Sequence, residues 1–356
     1  MTREDVLALK GEETVIKNVD LSGLNLEGID LSGTIFEDSF FKGTDFKGAN
    51  LTDCVFYRTD FTGACLEDAD LSRAYLENAV MVQCRASRCR LVESDLKGAD
   101  LSGAELKGVR ADEADFSGAN LSSARLNNAV LIKVCLQEAS LNEVDWTDAD
   151  LSRADLSDTN LNNTVFNNVK MVKTFFMEAK LKGAVFHNCV LNLAHFDEAE
   201  LVEAVFTGSD ITQASFVQAR LNRAKFDRVK AEASRFNDAL CDEAVFSNGY
   251  FPSASFGNAS LAGSDFKDAN LERADLTATI LQNAVLTGCD FTYADLSHAD
   301  LRKADLRGAK LKRANLHRIK EEQTLWSGSN RNEALETDHD LAEAEDWKSK
   351  TLPKNT

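Results

Sequence analysis

The fold is decided by a stretch in the middle of the chain, AVFHNCVLNLAHFDEAELVEAVFTGSD, which runs from Ala184 to Asp210. Every fifth residue of this stretch is Phe or Leu. An α-helix brings residues three and four apart onto one face, and a β-strand brings residues two apart onto one face, so neither element produces a period of five. The period therefore marks the length of a repeated structural unit. The residues that carry it are Phe186, Leu191, Phe196, Leu201 and Phe206.

The same register extends over most of the chain. From Leu21 to Leu316 it defines sixty positions, here called centres, of which 33 are Leu and 19 are Phe and none is charged. The residue two positions before a centre is Ala in 34 of the sixty units. Because alternate residues of an extended segment share a face, both positions point inward, while the polar residues between them face solvent and form turns. Stacked units would bury one continuous core.

Eight centres depart from Leu and Phe, and three of them are small. The small centres Ala86, Ala111 and Ala231 indicate either a local bulge, or a cavity filled by neighbours, or a bend or docking notch in the wall. The other five are Met81, Trp146, Met171, Ile211 and Cys241.

The sequence of the unit, as in ADLSRADLSDTNL and ADLRKADLRGAKL, resembles that of the pentapeptide-repeat family. The resemblance covers residues 16–320. It implies an all-β solenoid, a right-handed quadrilateral β-helix with four units per coil and about fifteen coils. At the spacing of neighbouring strands, such a rod would be about 70 Å long.

Four units per coil would stack residues that are twenty apart in sequence. Two facing columns of Phe are then expected in the core, one containing Phe176, Phe196, Phe216, Phe236 and Phe256, and the other Phe166, Phe186, Phe206, Phe226, Phe246 and Phe266.

One outward column is unusually apolar. Val165, Val185 and Val205 would stack on an outer face, and Phe175 and Tyr250 are predicted to point outward on nearby faces. This pattern has two interpretations, the β-propensity of an exposed strand or a ribbon that binds a partner protein.

Charge is distributed unevenly along the chain. Of the formal net charge of −18, residues 1–300 carry −20, residues 301–320 carry +7 and residues 321–356 carry −5. An acidic rod repels phosphates, so direct binding of nucleic acid is not expected. The basic segment is either a solvated rim or a binding surface for an acidic partner or the chain's own acidic tail. Its candidate binding residues are Arg302, Lys303, Arg307, Lys310 and Arg313.

The two ends are expected to cap the solenoid, because open coils expose strand edges. Residues 1–15 are predicted to form a helical cap, with Thr2 as N-cap, Gly11 as stop, and Val6 and Leu9 over the first coil. Residues 16–320 form the β-helix in this prediction. Residues 321–356 form a C-terminal cap and a partly disordered tail. Within that cap, Trp326 is expected to pack on the last coil, and a short helix between Asp338 and Trp347 is expected to be anchored by Leu341 and Trp347.

The sequence contains no pattern typical of catalysis. The eight Cys and five His residues lack the spacing of a metal site, and the abundant Asp belongs to the repeat. No enzyme activity, cofactor or metal is therefore expected. Cys65 and Cys135 are predicted to be outward-facing free thiols. The absence of a signal segment or a membrane-spanning stretch favours a cytoplasmic location.

Two functions are compatible with these features. The ends, MTREDVLALKGEETV followed by LSGLNLEGIDLSG, and TDHDLAEAEDW after ANLHR, resemble the branch of the pentapeptide family found among bacterial type VI secretion components. This resemblance implies a protein-binding accessory or adaptor that takes part in effector loading or spike assembly. Other family members present an acidic, DNA-like rod to DNA gyrase and protect against quinolones. Some relatives also pair through their C-terminal ends, which implies a homodimer here.

Overall fold

The computed structural model describes residues 1–12 and 15–347, and it forms a β-helix in which each coil takes twenty residues. Short parallel strands pair along one wall, β1 (Val15–Lys17) with β2 (Ile35–Glu37) and β2 with β3 (Val55–Tyr57). Further along, β4 (Val165–Asn167) pairs with β5 (Val185–His187). Elsewhere single residues twenty apart form parallel bridges, from Asp20 with Phe40 to Asn315 with Leu335. These bridges continue past residue 320, where the repeat region was predicted to end.

Each unit turns one corner of the coil. In most units the N–H of the third residue after a centre donates to the carbonyl of that centre, as from Ala224 to Leu221 at 2.9 Å. The residue before it takes a positive φ, 59° at Arg223 and 60° at Leu193. A positive φ at the third position of a four-residue turn defines a type II turn. The left-handed conformation recurs here at residues with side chains, because most corners are held by the turn bond and by bonds to the adjoining coils.

The core is a set of four stacked columns of side chains. All sixty centres are buried, and the small residues two positions earlier lie beside them in nearly every unit. The two expected Phe columns are present: rings twenty apart lie parallel, with centroids 4.8 Å apart between Phe206 and Phe226. Rings of the two columns meet edge to face, with centroids 5.5 Å apart between Phe216 and Phe226. Both arrangements are favourable for aromatic quadrupoles.

The small centres do not interrupt the wall. The N–H groups of Ala86, Ala111 and Ala231 each donate to the next coil at 2.8 Å, and all three residues are buried. The prediction of a bulge or a bend at these positions is therefore wrong. The wall opens instead beside Trp146, where two successive bridges are missing from the described residues, those that would join Ser140 to Asn160 and Asp145 to Val165.

Two helices lie at the ends of the rod. Helix α1 (Arg3–Glu12) extends past the predicted stop at Gly11, and Val6 is fully buried against the first coil. The main-chain N–H of Thr2 donates to the Asp5 carboxylate at 2.7 Å. Neither helix of the described residues has the length and apolar character needed to span a membrane.

At the C-terminal end, a single turn of 3₁₀-helix (Arg331–Glu333) precedes helix α2 (His339–Asp346). Trp326 packs against the core, its ring under the Arg331 guanidinium at 4.6 Å. The prediction that Leu341 and Trp347 anchor α2 is wrong, because these side chains are 49% and 74% exposed. The tail from Lys348, which was predicted to be disordered, lies outside the described residues.

Candidate protein-binding surfaces

The three valines of the predicted column lie side by side on one outer face. Val185 pairs in register with Val165 on one side and with Val205 on the other. Val165 is 46% exposed, and the other two are half-buried by their neighbours. Lys225 continues the row beyond Val205. The result is a flat, apolar strip three strands wide on a rigid wall, which suits contact with another protein surface.

The structure does not bring the other two apolar candidates onto this strip. Phe175 is ten residues from both Val165 and Val185, and half a coil places it on the opposite face. Its ring stacks on His195, with centroids 5.1 Å apart and planes 12° from parallel. Tyr250 is 45% exposed on an adjacent face, where it pairs with Lys230 and Asn270. Of the five predicted apolar residues, the three valines therefore form one strip, and Phe175 and Tyr250 lie apart from it on other faces.

The five basic candidates near the C-terminal end are only partly available. Three of them form ion pairs with repeat carboxylates: Arg302 with Asp300 at 2.5 Å, Arg307 with Asp305 at 2.7 Å and Lys310 with Asp290 at 3.2 Å. The Arg302 hydrogen bond holds the pKa of Asp300 well below its usual range. Within the described part of the chain, Lys303 and Arg313 form no ion pair. Of the eight Lys and Arg residues in 301–320, four form ion pairs, including Arg318 with Glu345. Within the described residues Lys303, Lys312, Arg313 and Lys320 form none, so the segment is a half-neutralised rim.

A cluster around Glu345 holds α2 against the last coils. The Glu345 carboxylate lies 3.3 Å from His298 Nε2, 3.2 Å from His317 Nε2 and 2.9 Å from Arg318 Nη1. Arg318 also reaches Asp346 at 2.5 Å. The acidic end of the chain thus contacts the basic segment, through Arg318 rather than through the five candidate residues. Hydrogen bonds from His317 and then Arg318 lower the pKa of Glu345.

Two imidazoles and a carboxylate within 4.8 Å of one another have the composition of a metal site. The hydrogen bonding of His317 argues against that use. Its Nδ1 accepts the main-chain N–H of Asp338 at 3.1 Å, so Nδ1 carries no proton. The neutral ring then carries its proton on Nε2, which donates to Glu345 and has no lone pair for a cation. The cluster acts as a latch for α2.

The acidic surface is partly neutralised by ion pairs that run along the rod. Positions twenty apart form Arg58–Asp38, Arg73–Asp53 and Arg88–Asp68 pairs, at 2.6, 2.7 and 2.7 Å. Each bridges neighbouring coils at an exposed corner. Exposed pairs of this kind contribute little to stability, but they reduce the net field at the surface.

The two cysteines that were predicted to face outward are partly or fully covered by their neighbours. Cys65 occupies an outward position, yet it is 5% exposed because its neighbours cover it, and burial raises the pKa of its thiol. Cys135 is half-buried beside the Ser117 hydroxyl at 3.1 Å. The α2 latch was not predicted, since its contacts join residues 27 to 47 positions apart and follow no repeat. The wall opening was also missed, although Trp146 is the largest of the sixty centres.

Comparisons with known proteins agree with this architecture. The sequence profile described as pentapeptide repeats (8 copies) matches residues 16–145 in overlapping segments and 279–318, and the profile described as pentapeptide repeat region matches 139–216 and 179–266. Among curated protein sequences nothing matches.

Several solved structures are similar to the chain. HetL, a pentapeptide repeat protein involved in heterocyst differentiation regulation from Nostoc sp. strain PCC 7120, is 22% identical over 95% of this chain and 98% of its own, with a TM-score of 0.17. Full-length QnrB1, a plasmid-mediated fluoroquinolone resistance protein, is 22% identical over 57% of this chain and 86% of its own, with a TM-score of 0.18. Rfr23 from Cyanothece 51142 is 22% identical over 42% and 97%, with a TM-score of 0.16. The profile matches and the twenty-residue coil together show that this chain belongs to the pentapeptide-repeat family, with the right-handed β-helix solenoid expected of its members.

Proposed function

We propose that this protein is a non-catalytic scaffold that binds other proteins through the outer walls of its β-helix. The observation that carries the proposal is the apolar strip formed by Val165, Val185 and Val205 in register on one wall. The repeat already gives the centres, the small residues and the turn residues structural roles. The strip has no such role, because side chains on the outer face do not fill the core.

The finer proposal is an accessory or adaptor role in bacterial type VI secretion, in effector loading or spike assembly, with the protein acting in the cytoplasm. It is supported by the likeness of the chain's two ends to that branch of the family. The test is binding of the purified full-length protein to purified spike and effector proteins from its own cell. We expect one of them to bind, and Val185→Asp to weaken that binding at least tenfold. The matched control is His187→Asp, which places a carboxylate on the same wall outside the strip. No binding to any spike or effector protein would exclude this role.

A second candidate is an acidic DNA mimic that binds DNA gyrase and protects against quinolones. The charge of −20 over residues 1–300 favours it. The ion pairs between coils and the basic residues after 300 weaken the field that such mimicry needs. A supercoiling assay with purified gyrase tests whether the protein is such a mimic. Inhibition that disappears at high salt would favour mimicry, and unchanged supercoiling at excess protein would exclude it.

A further inference from the structure

The wall opening beside Trp146 lies between residues 138–147 of one coil and residues 158–166 of the next. Elsewhere a residue such as Val205 makes two bonds to the preceding coil: its N–H donates to Ala184 at 2.8 Å, and its carbonyl accepts from Phe186 at 2.7 Å. Among the described residues, Val165 makes neither of the corresponding bonds, to Val144 and Trp146. The same two bonds are missing one face earlier, around Asn160. The opening therefore spans two successive faces of the coil.

Both edges of the opening stay bonded to the coils behind them. On one side, the Asp145 N–H still donates to Ala124 at 3.1 Å. On the other side, the Leu161 N–H donates to Lys180 at 2.7 Å. Pairing between the two coils resumes beyond the opening, where the Asp148 N–H donates to Asn167 at 3.1 Å. The unpaired groups thus belong to ordered edges that face each other across a gap.

The size of Trp146 accounts for the gap. Its ring centroid lies 6.2 Å from that of Phe166 at an angle of 34°, whereas Phe166 and Phe186 lie 5.0 Å apart at 14°. Trp146 is fully buried, and its indole Nε1 has no hydrogen-bond partner among residues 1–12 and 15–347. An indole exceeds the space that the spacing of coils gives to Leu or Phe, and an overpacked core responds by moving the backbone. Here the two coils separate on the faces nearest the ring.

The opening forms a groove of about 690 Å³, which is within the range of ligand sites. Water reaches its inner side, because Thr164 is only half-buried although its position in the unit points inward. Glu143 and Asp145 line the groove, and Glu138 and Asp158 line its continuation on the adjacent face. None of these four carboxylates forms an ion pair within the described residues, and no Lys or Arg lines either part. The Ser123 hydroxyl donates to Glu143 at 3.1 Å.

These observations define what the opening can bind. Unpaired main-chain N–H and C=O groups on a strand edge are satisfied by an extended peptide, which presents both groups at the matching spacing. A residue of that peptide would take the place of Val165, accepting from the Trp146 N–H and donating to the Val144 carbonyl. Four unpaired carboxylates favour positive side chains on the ligand. We propose that the opening beside Trp146 binds an extended segment of a partner protein that carries lysine or arginine side chains, by β-strand addition.

The site deepens the scaffold role and rests on it for the class of ligand, a polypeptide. Its test uses the full chain and two probes, an acetylated eight-residue peptide of alternating lysine and valine and its twin of alternating glutamate and valine. We expect the lysine peptide to bind at least tenfold more tightly than its twin, and to slow hydrogen exchange in residues 138–147 and 158–166. Trp146→Leu should close the wall and abolish binding, while Trp326→Leu, which removes a tryptophan elsewhere, should bind normally.

A second variant covers the case in which Trp146→Leu fails to fold. Glu143→Gln combined with Asp145→Asn leaves the core unchanged and should weaken binding of the lysine peptide several-fold. No binding, equal binding of both peptides, or unchanged affinity in a folded Trp146→Leu protein would overturn the proposal. A natural partner that is retained by Trp146→Leu but lost with Val185→Asp would refute this site and leave the scaffold function standing.

Discussion

Phe206 illustrates how one side chain contributes to this core. Its ring stacks on Phe186 and Phe226 with centroids 4.6 and 4.8 Å away, and it meets Phe196 and Phe216 edge to face. We expect Phe206→Ala to cost at least about 5 kcal/mol of unfolding free energy, since a buried Phe→Ala change costs about 3–5 kcal/mol and each of the four aromatic pairs adds at least about 0.5 kcal/mol.

The matched control for Phe206 is Phe116→Ala. Phe116 is equally buried, but within the described residues it has no aromatic ring in contact. Denaturant unfolding of both variants measures the difference. We expect the Phe116 variant to lose at least about 2 kcal/mol less, because it breaks no aromatic pair, and equal losses would show that the ring ladder adds nothing beyond burial.

Asp30 provides a prediction of pH dependence for a single residue. Hydrogen bonds from the Ser32 hydroxyl and N–H, and then from Lys10, lower the pKa of Asp30 to about 2. Because the folded pKa lies below the unfolded one, this carboxylate stabilises the fold above about pH 4, and the contribution is lost as the pH falls toward 2. A carboxyl-carbon NMR titration should show that Ser32→Ala raises the pKa of Asp30 more than Lys10→Met does. A larger shift in the Lys10 variant would contradict this order, and the distant Ser102→Ala should have no effect.

At the scale of elements, helix α1 protects the first coil. Val6 is fully buried, and Lys10 contacts Asp30 at 3.2 Å. Val6→Asp should cost at least about 2 kcal/mol of unfolding free energy, because a buried side chain is lost and a charge has to stay in water. The uncovered strand edge should also promote self-association, which light scattering detects. Leu7→Asp, at a neighbouring exposed position, should be nearly neutral. A monomeric, fully stable Val6→Asp protein would mean that α1 is dispensable as a cap.

Helix α2 depends on polar contacts, because none of its residues is buried. The pKa of Glu345 is lowered by hydrogen bonds from His317 and Arg318, so its contribution is present above its ordinary pKa of about 4.5 and is lost as the pH falls below that value. Glu345→Gln should release α2 at neutral pH, seen as faster hydrogen exchange over residues 339–346. Glu343→Gln, in the same helix, should leave exchange unchanged. Slow exchange in the Glu345 variant would show that the latch is not what holds the helix.

How far the sequence predicts these elements depends on whether the repeat controls them. The five-residue register fixes which residues point inward, so the burial of Leu21 to Leu316 and both Phe columns could be predicted. The opening beside Trp146 could not be predicted. A core can accommodate a large centre either by repacking the four columns of side chains or by separating the coils, and the repeat does not decide between these two outcomes. The contacts of Glu345 lie outside the repeat, so no period relates them to His298 and Arg318. Leu341 and Trp347 were predicted to be anchors only because they are apolar, and this reasoning fails for a helix that lies on a polar rim.

At the scale of the whole molecule, the rod combines a rigid core with a few outer features that the repeat does not require. The apolar strip around Val185 and the opening beside Trp146 adjoin one another, since Val165 belongs to the strip and lines the opening. A partner protein could therefore rest on the strip and place a basic segment in the opening. A homodimer through the C-terminal end stays a separate prediction, and sedimentation of the full chain tests it.

The measurement that tests the scaffold claim most directly is affinity capture of the tagged full-length protein from lysate of its own cell, read by mass spectrometry. The wild type, Val185→Asp and His187→Asp proteins would be compared at low and high salt. We predict a defined set of proteins, including secretion spike or effector components, that is retained at high salt and by the His187→Asp control but lost with Val185→Asp. Capture of gyrase subunits that is lost at high salt and unaffected by Val185→Asp would contradict the account and favour the acidic mimic.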